Sequence, residues 1–327
     1  MRLSEGLDKI GFYTLSDNRA RCAHKSSPLY RCELILTDRC SFHCPYCRGL
    51  RSDLMGDIPP LQAYKTVELW IREGLKNIRF SGGEPTLYPR LLDLVSMCRK
   101  GGVKNIAIST NGATKLSLYE KLIDAGVNDF SISLDACCSS LGDTMAGIHG
   151  AWAKVVSNIR ALSRLVYVSV GMVFTEKNVD SCVDNVMFAD SLGVSDIRVI
   201  PSAQYNLALT KLSKLPSDIL YKYPILKYRM NNINAGVHVR GIQENDCGRC
   251  PLVLDDMAVA GDKHFPCIIY MREYGDPIGT VGKYMRQQRF EWFKKHNTKE
   301  DRICRKNCLD VCTQYNNTAM DFNPNLK

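Results

Sequence analysis

Between residues 31 and 203, short apolar runs alternate with longer amphipathic stretches at regular spacing. The runs at 31–36, 77–80, 105–109, 129–134, 166–174 and 196–200 have the length of strands. The stretches at 61–73, 91–100, 116–125, 152–163 and 179–192 mix apolar and charged positions as helices do, and the second is closed by Gly101 and Gly102. The pattern predicts six strands, each but the last followed directly by a helix. Repeated βα units imply an α/β fold with parallel strands and right-handed crossovers. Periodicity does not say whether the sheet closes: a partial (β/α)6 TIM-like barrel and an open doubly wound sheet read alike. Both carry their chemistry at the C-terminal ends of the strands.

The rest of the chain divides around that core. Residues 1–30 read as an N-terminal extension, 31–203 as the core, 204–240 as a connector with Pro216 and Pro224, and 241–327 as a small, irregular cysteine-rich module. A content of 45% hydrophobic and 24% charged residues is that of a soluble globular protein. Residues 1–11 carry Arg2, Glu5, Asp8 and Lys9 without an apolar h-region, and no apolar run reaches membrane-spanning length. The expectation is a cytoplasmic protein that does not engage a membrane. The net charge of +9 is dispersed. It reads as a solvated basic surface, compatible with an anionic substrate and only a weak pointer to nucleic acid.

Fifteen cysteines change the picture. An odd count without an export signal argues for metal rather than disulfides. Cys40, Cys44 and Cys47 follow the first strand, and Cys247, Cys250, Cys267, Cys304, Cys308 and Cys312 lie in the C-terminal module. Cys22, Cys32, Cys98, Cys137, Cys138 and Cys182 are scattered between or before these groups, and cysteines of that kind read as buried small hydrophobes. Three thiolates spaced three and two residues apart can wrap an iron–sulfur cluster from one loop. A cubane [4Fe–4S] cluster held this way keeps one iron without a protein ligand, as catalytic zinc keeps an open position. Zinc itself would need a fourth ligand, and His43, between two of the cysteines, would point away from the loop.

This CxxxCxxC run, with Tyr46 before its last cysteine, resembles the radical S-adenosylmethionine (SAM) superfamily. Three further segments extend the resemblance across residues 31–203: Ser81 to Thr86 (the family's GGEP segment), Ser109 to Gly112 (TNG) and Ser133 to Asp135 (SLD). The two glycines of the first allow close backbone approach. The resemblance implies that Gly82, Gly83, Glu84, Thr110, Asn111, Ser133 and Asp135 form a SAM pocket, with Tyr46 near adenine. It implies an enzyme in which SAM chelates the open iron and one electron breaks a C–S bond, giving a 5′-deoxyadenosyl radical that attacks the substrate. The electron would come from a reductant such as flavodoxin or ferredoxin, and the protein would position substrate and exclude water.

The second cysteine group, with Ala260 to Lys263 and Phe265 to Cys267 between its members, resembles the SPASM/twitch modules of that superfamily. This implies an auxiliary [4Fe–4S] cluster on Cys250, Cys267 and members of the Cys304, Cys308 and Cys312 trio, with Cys247 as a further candidate. A structural zinc knot is the plain alternative. Residues 30–48 also resemble GTP 3′,8-cyclase, but Leu252 and Leu254 stand where that family carries arginines. Peptide or protein modification is the expected activity. A dehydrogenase, epimerase or cyclase acting on a sugar or nucleotide is the alternative, and a non-enzymatic iron–sulfur or zinc protein binding nucleic acid is an outside one. Cys137 and Cys138, after the third segment, are candidate hydrogen-atom donors. Arg198, in the sixth strand, is a candidate for a substrate carboxylate or phosphate.

Overall fold

A computed structural model describes residues 17–24, 26, 29–202, 206–323 and 326. Residues 1–11, on which the reading of the N-terminus rests, lie outside the described residues. A short helix α1 (Asp17–Cys22) precedes β1 (Arg31–Thr37), α2 (Pro60–Arg72), β2 (Asn77–Gly82), α3 (Leu91–Lys100), β3 (Asn105–Thr110), α4 (Leu116–Ala125) and β4 (Asp129–Ser133). Then come α5 (Ser139–Ala146), α6 (Ala151–Leu162), β5 (Tyr167–Phe174), α7 (Cys182–Ser191) and β6 (Asp196–Pro201). Every strand and helix expected between 31 and 203 is present, and α5 is an addition.

The six strands pair in parallel in sequence order, β1 to β6. The sequential order has no reversal point, as a doubly wound sheet would, and among the described residues β6 is a sheet edge, so the array is a partial barrel. Two helices, α8 (Ser217–Lys222) and α9 (Pro224–Asn234), follow, with α9 packed on β6.

The C-terminal region is more regular than its composition suggests. It contains β7 (Asp256–Ala260), β8 (Lys263–Phe265), α10 (Ile268–Arg272), β9 (Gly279–Thr280), α11 (Met285–Lys295), α12 (Arg302–Asn307) and α13 (Asp310–Phe322). Strand β7 pairs in parallel with β1 on the side away from β2, and β8 and β9 continue antiparallel, giving nine strands in one sheet. The cysteine-rich segment therefore extends the core sheet.

Along β1 to β6 the two faces differ. Cys32, Leu34, Leu36, Ile78, Phe80, Ile106, Ile108, Phe130, Ile132, Val168, Val170, Met172, Ile197 and Val199 join the core with the helices. Each fully buried Leu, Ile or Phe contributes about 1.5–3 kcal/mol. The alternate positions, including Glu33, Arg79, Ser81, Ser109, Ser131, Ser133 and Arg198, line a cleft on the concave side. Parallel strands covered on both faces are near-continuously apolar. Here the alternation leaves one face polar and turned toward the cleft.

Candidate active site and a second cysteine cavity

The cleft lies at the C-terminal strand ends and encloses about 1450 Å3, counting the part open to solvent. Leu36 is bulged out of the β1–β2 register, and from there the chain turns into the loop bearing Cys40, Cys44 and Cys47. The glycines after β2 seat this loop. A side chain on Gly82 would lie 2.3 Å from the Thr37 carbonyl oxygen, and one on Gly83 would lie 2.3 Å from that of Arg39. Gly83 N donates to Thr37 O at 2.7 Å and Glu84 N to Arg39 O at 2.7 Å. The close approach that the glycines permit is thus to the cysteine loop itself. On its other side the loop is held by His43 N donating to Ala146 O at 2.8 Å.

Glu84 is fully buried and faces away from the cleft. Its Oε1 accepts from Thr86 N (3.0 Å), Thr86 Oγ1 (2.6 Å) and Thr110 Oγ1 (2.8 Å), and its Oε2 accepts from Asn111 N (2.7 Å). Burial pushes its pKa up, against the pull of these donors. The carboxylate therefore joins the end of β2 to the end of β3. Asn111, held in this way, donates through Nδ2 to Ser41 Oγ at 3.0 Å and lies 3.9 Å from Cys40 Sγ.

Gly82, Gly83, Thr110, Asn111, Ser133 and Asp135 all line the cleft with the three thiols. Tyr46 also lines it, and its hydroxyl donates to Asp135 across the cleft, while Asp135 Oδ1 accepts from Val173 N at 2.7 Å. Burial pushes the Asp135 carboxyl up to about 6. Cys137 and Cys138 do not line the cleft. Cys137 N donates to Asn185 Oδ1 at 2.8 Å, and Cys138 is exposed at the start of α5.

Arg198 was legible in the sequence, but its setting was not. Its guanidinium crosses the side-chain-less Gly171, where a Cβ would stand 3.0 Å from Nη2, and donates to Ser131 Oγ on β4. Glu33, Arg79 and Arg272 also line the cleft and were missed. The available signal for the first two was the polar alternation within β1 and β2.

The donor set fits an iron–sulfur cluster. Cys40, Cys44 and Cys47 are the only cysteines lining the cleft among the described residues, and His43 is not part of the lining. The carboxylates that do line it, Glu33 and Asp135, are engaged by Ser81 and by Tyr46 and Val173. Burial pushes the Cys44 thiol up to about 12, so binding iron there must displace a proton.

A second cavity, of about 480 Å3 counting the part open to solvent, is lined by Cys250, Cys267, Cys304, Cys308 and Cys312. Burial raises most of these thiols, Cys267 to about 12; Cys312 moves the other way because it accepts a hydrogen bond from Cys308 and faces the Arg31 charge. Cys247 does not line this cavity, and its thiol donates to Arg249 O at 3.2 Å. Buried Arg289 fixes the surrounding turns by donating to the carbonyls of Val253 (2.8 Å), Phe265 (3.0 Å) and Asp256.

Residues 34–188 match the family model described as the Radical SAM superfamily. The chain carries a radical SAM domain. It is 27% identical over 177 residues to a probable GTP 3′,8-cyclase of Metallosphaera sedula, covering 53% of this chain and 56% of that protein. The chain thus spans about half the length of this curated relative. Two solved structures share the fold. SuiB of Streptococcus suis, bound to precursor peptide SuiA, superposes with TM-score 0.58 and 15% identity over 83% of this chain and 65% of its own. Native anSMEcpe with bound AdoMet gives 0.57 and 15% over 89% of this chain and 96% of its own.

Proposed function

We propose that the protein is a radical SAM enzyme acting on a small, polar, anionic substrate held inside the partial barrel. The observation that carries this reading is that the three cleft thiols and an inward-facing row of polar side chains share one cleft. Cys40, Cys44 and Cys47 would hold a [4Fe–4S] cluster, and Gly82, Gly83, Thr110, Asn111, Ser133 and Asp135 would hold SAM. When bound, cluster and SAM supply reductive C–S cleavage and hydrogen abstraction from an unactivated carbon.

The chain's own residues then have simple tasks. Glu84 fixes the β2 and β3 ends, so that the SAM contacts are set before the ligand arrives. Tyr46 ties the cysteine loop to Asp135. Arg198, aimed over Gly171, faces a substrate carboxylate or phosphate, a geometry suited to guanidinium. The outward apolar layer keeps water from the back of the strands.

Several features support a small substrate, among them the row of polar strand side chains in the lining and a curated relative named for a GTP reaction. Leu252 and Leu254 argue against that particular reaction. Peptide modification is the second reading, favoured by the solvent-open mouth of the cleft. An electron donor such as flavodoxin or ferredoxin would be the partner. Among the described residues no helix is long and apolar enough to cross a membrane.

Anaerobically reconstituted protein given SAM and dithionite should release 5′-deoxyadenosine, and a Cys40/Cys44/Cys47→Ala variant should not. Equal release by both proteins would sink the proposal. To separate the substrate classes, Arg198→Met should raise KM for an anionic small substrate by about tenfold or more, the worth of one charge-assisted hydrogen bond. An unchanged KM would favour the peptide reading.

A further inference from the structure

The second cavity differs from the active-site cleft in its thiol count, its remaining lining and its separation from substrate. The cleft offers three thiols, one fewer than the irons of a cubane, whereas the second cavity offers five, one more. The rest of its lining has no carboxylate and no basic side chain among the described residues. Its amide, Asn316, is aimed at a thiol, with Nδ2 3.6 Å from Cys250 Sγ. Nothing there is arranged to recognise a polar substrate.

The two spaces are divided by α10. Cys267, at its start, and Ile269 and Tyr270 face the cysteine cavity, while Ile268 and Arg272, one turn apart, face the cleft. Arg272 fastens this wall to both active-site segments, donating to Gly49 O at 3.3 Å and Gly82 O at 3.4 Å. On the underside, Tyr270 N is 3.4 Å from Cys267 Sγ, and its hydroxyl donates to Asp301 Oδ2 at 3.0 Å.

Resting on the reading that this cavity holds a [4Fe–4S] cluster, we propose that the cluster is completely ligated by protein thiolates, with one cysteine to spare. No iron there is open to substrate, which binds only on the other side of α10. The fifth thiol is Cys304, whose Sγ lies 3.5 Å from Nε2 of His296, a ring stacked 3.9 Å from Trp292. Among the described residues it is the cavity thiol paired with an imidazole.

The test uses full-length Cys40/Cys44/Cys47→Ala protein reconstituted anaerobically with iron and sulfide. Mild oxidation strips the iron of a cubane corner that lacks a thiolate and leaves a three-iron cluster with its own EPR signal. The variant should hold about four irons, and ferricyanide should leave about four with no such signal. A fall to about three irons with the signal would overturn the proposal. A protein that never retains iron would instead overturn the reading that the cavity holds a cluster, so the two failures are distinct. The converse Cys250/Cys267/Cys304/Cys308/Cys312→Ala protein, which keeps no thiol lining the second cavity and whose remaining cluster has three ligands, is the positive control and should fall from about four to about three. Adding Cys304→Ala to the first variant should keep about four irons through oxidation, and an oxidation-labile iron there would show that no thiol is spare. If the alanine triple does not fold, Cys40/Cys44/Cys47→Ser gives the same readouts.

Discussion

At the scale of single residues, Glu84 is bound up with its neighbours and not with the cleft. Glu84 satisfies four donors from three residues in a fully buried place. Glu84→Ala strands those donors and should cost about 3 kcal/mol or more, since each buried unsatisfied group costs about 1–3 kcal/mol. Glu84→Gln keeps most acceptors and should lose less, and denaturant midpoints of the two variants measure the difference. Gly171→Ala should leave stability nearly unchanged, because the new methyl meets only the tip of Arg198. It should raise the substrate KM while leaving 5′-deoxyadenosine release without substrate intact; an unaltered KM would mean that Arg198 does not contact substrate.

Asp196 gives a pH dependence whose sign follows from burial. Its carboxyl is pushed from 3.8 up to about 7, chiefly by desolvation, against donors from Ile197 N and Ile225 N. The folded state therefore holds this proton more tightly than the unfolded chain. The stability from this group is present at low pH and is lost as pH rises from about 4 to about 7. Asp196→Asn should flatten that slope, and equal pH profiles for the two proteins would contradict it.

Elements explain what could be read in advance and what could not. The βα alternation was legible because each strand is followed by an amphipathic helix of ordinary length. Strand β7 was not: its five buried residues follow a cysteine loop instead of a helix, and a short apolar run alone does not announce its pairing with β1. Helices α11 to α13 were hidden by charge and cysteine. Segment 285–295, for instance, is rich in basic residues and buries only Met285, Arg289 and Phe293. The cysteine loop and the strand-end segments were legible as motifs, whereas the turn of Glu84 away from the cleft and the Gly171–Arg198 fit depend on tertiary packing. Arg289 belongs to this scale because it joins α11 to the turns around Cys250 and Cys267. Arg289→Met leaves several buried carbonyls without donors. It should lower stability by about 3 kcal/mol or more and release iron from the second cavity selectively. Iron counts in the Cys40/Cys44/Cys47→Ala background report this directly.

At the scale of the whole molecule, one curved sheet carries both cysteine groups. Because β7 is bonded to β1, the strand leading to the first cysteine loop neighbours the strand that precedes Cys267. The two spaces differ in thiol number: three in a cleft that carries the polar strand face, five around a smaller apolar cavity. The central claim is that the cleft thiols leave an iron open to SAM. EPR of the reduced Cys250/Cys267/Cys304/Cys308/Cys312→Ala protein, which removes every thiol lining the second cavity and so isolates that cluster, tests it most directly. The signal should shift on adding SAM, with about four irons present. A signal indifferent to SAM, or a protein containing zinc and no iron, would contradict the account.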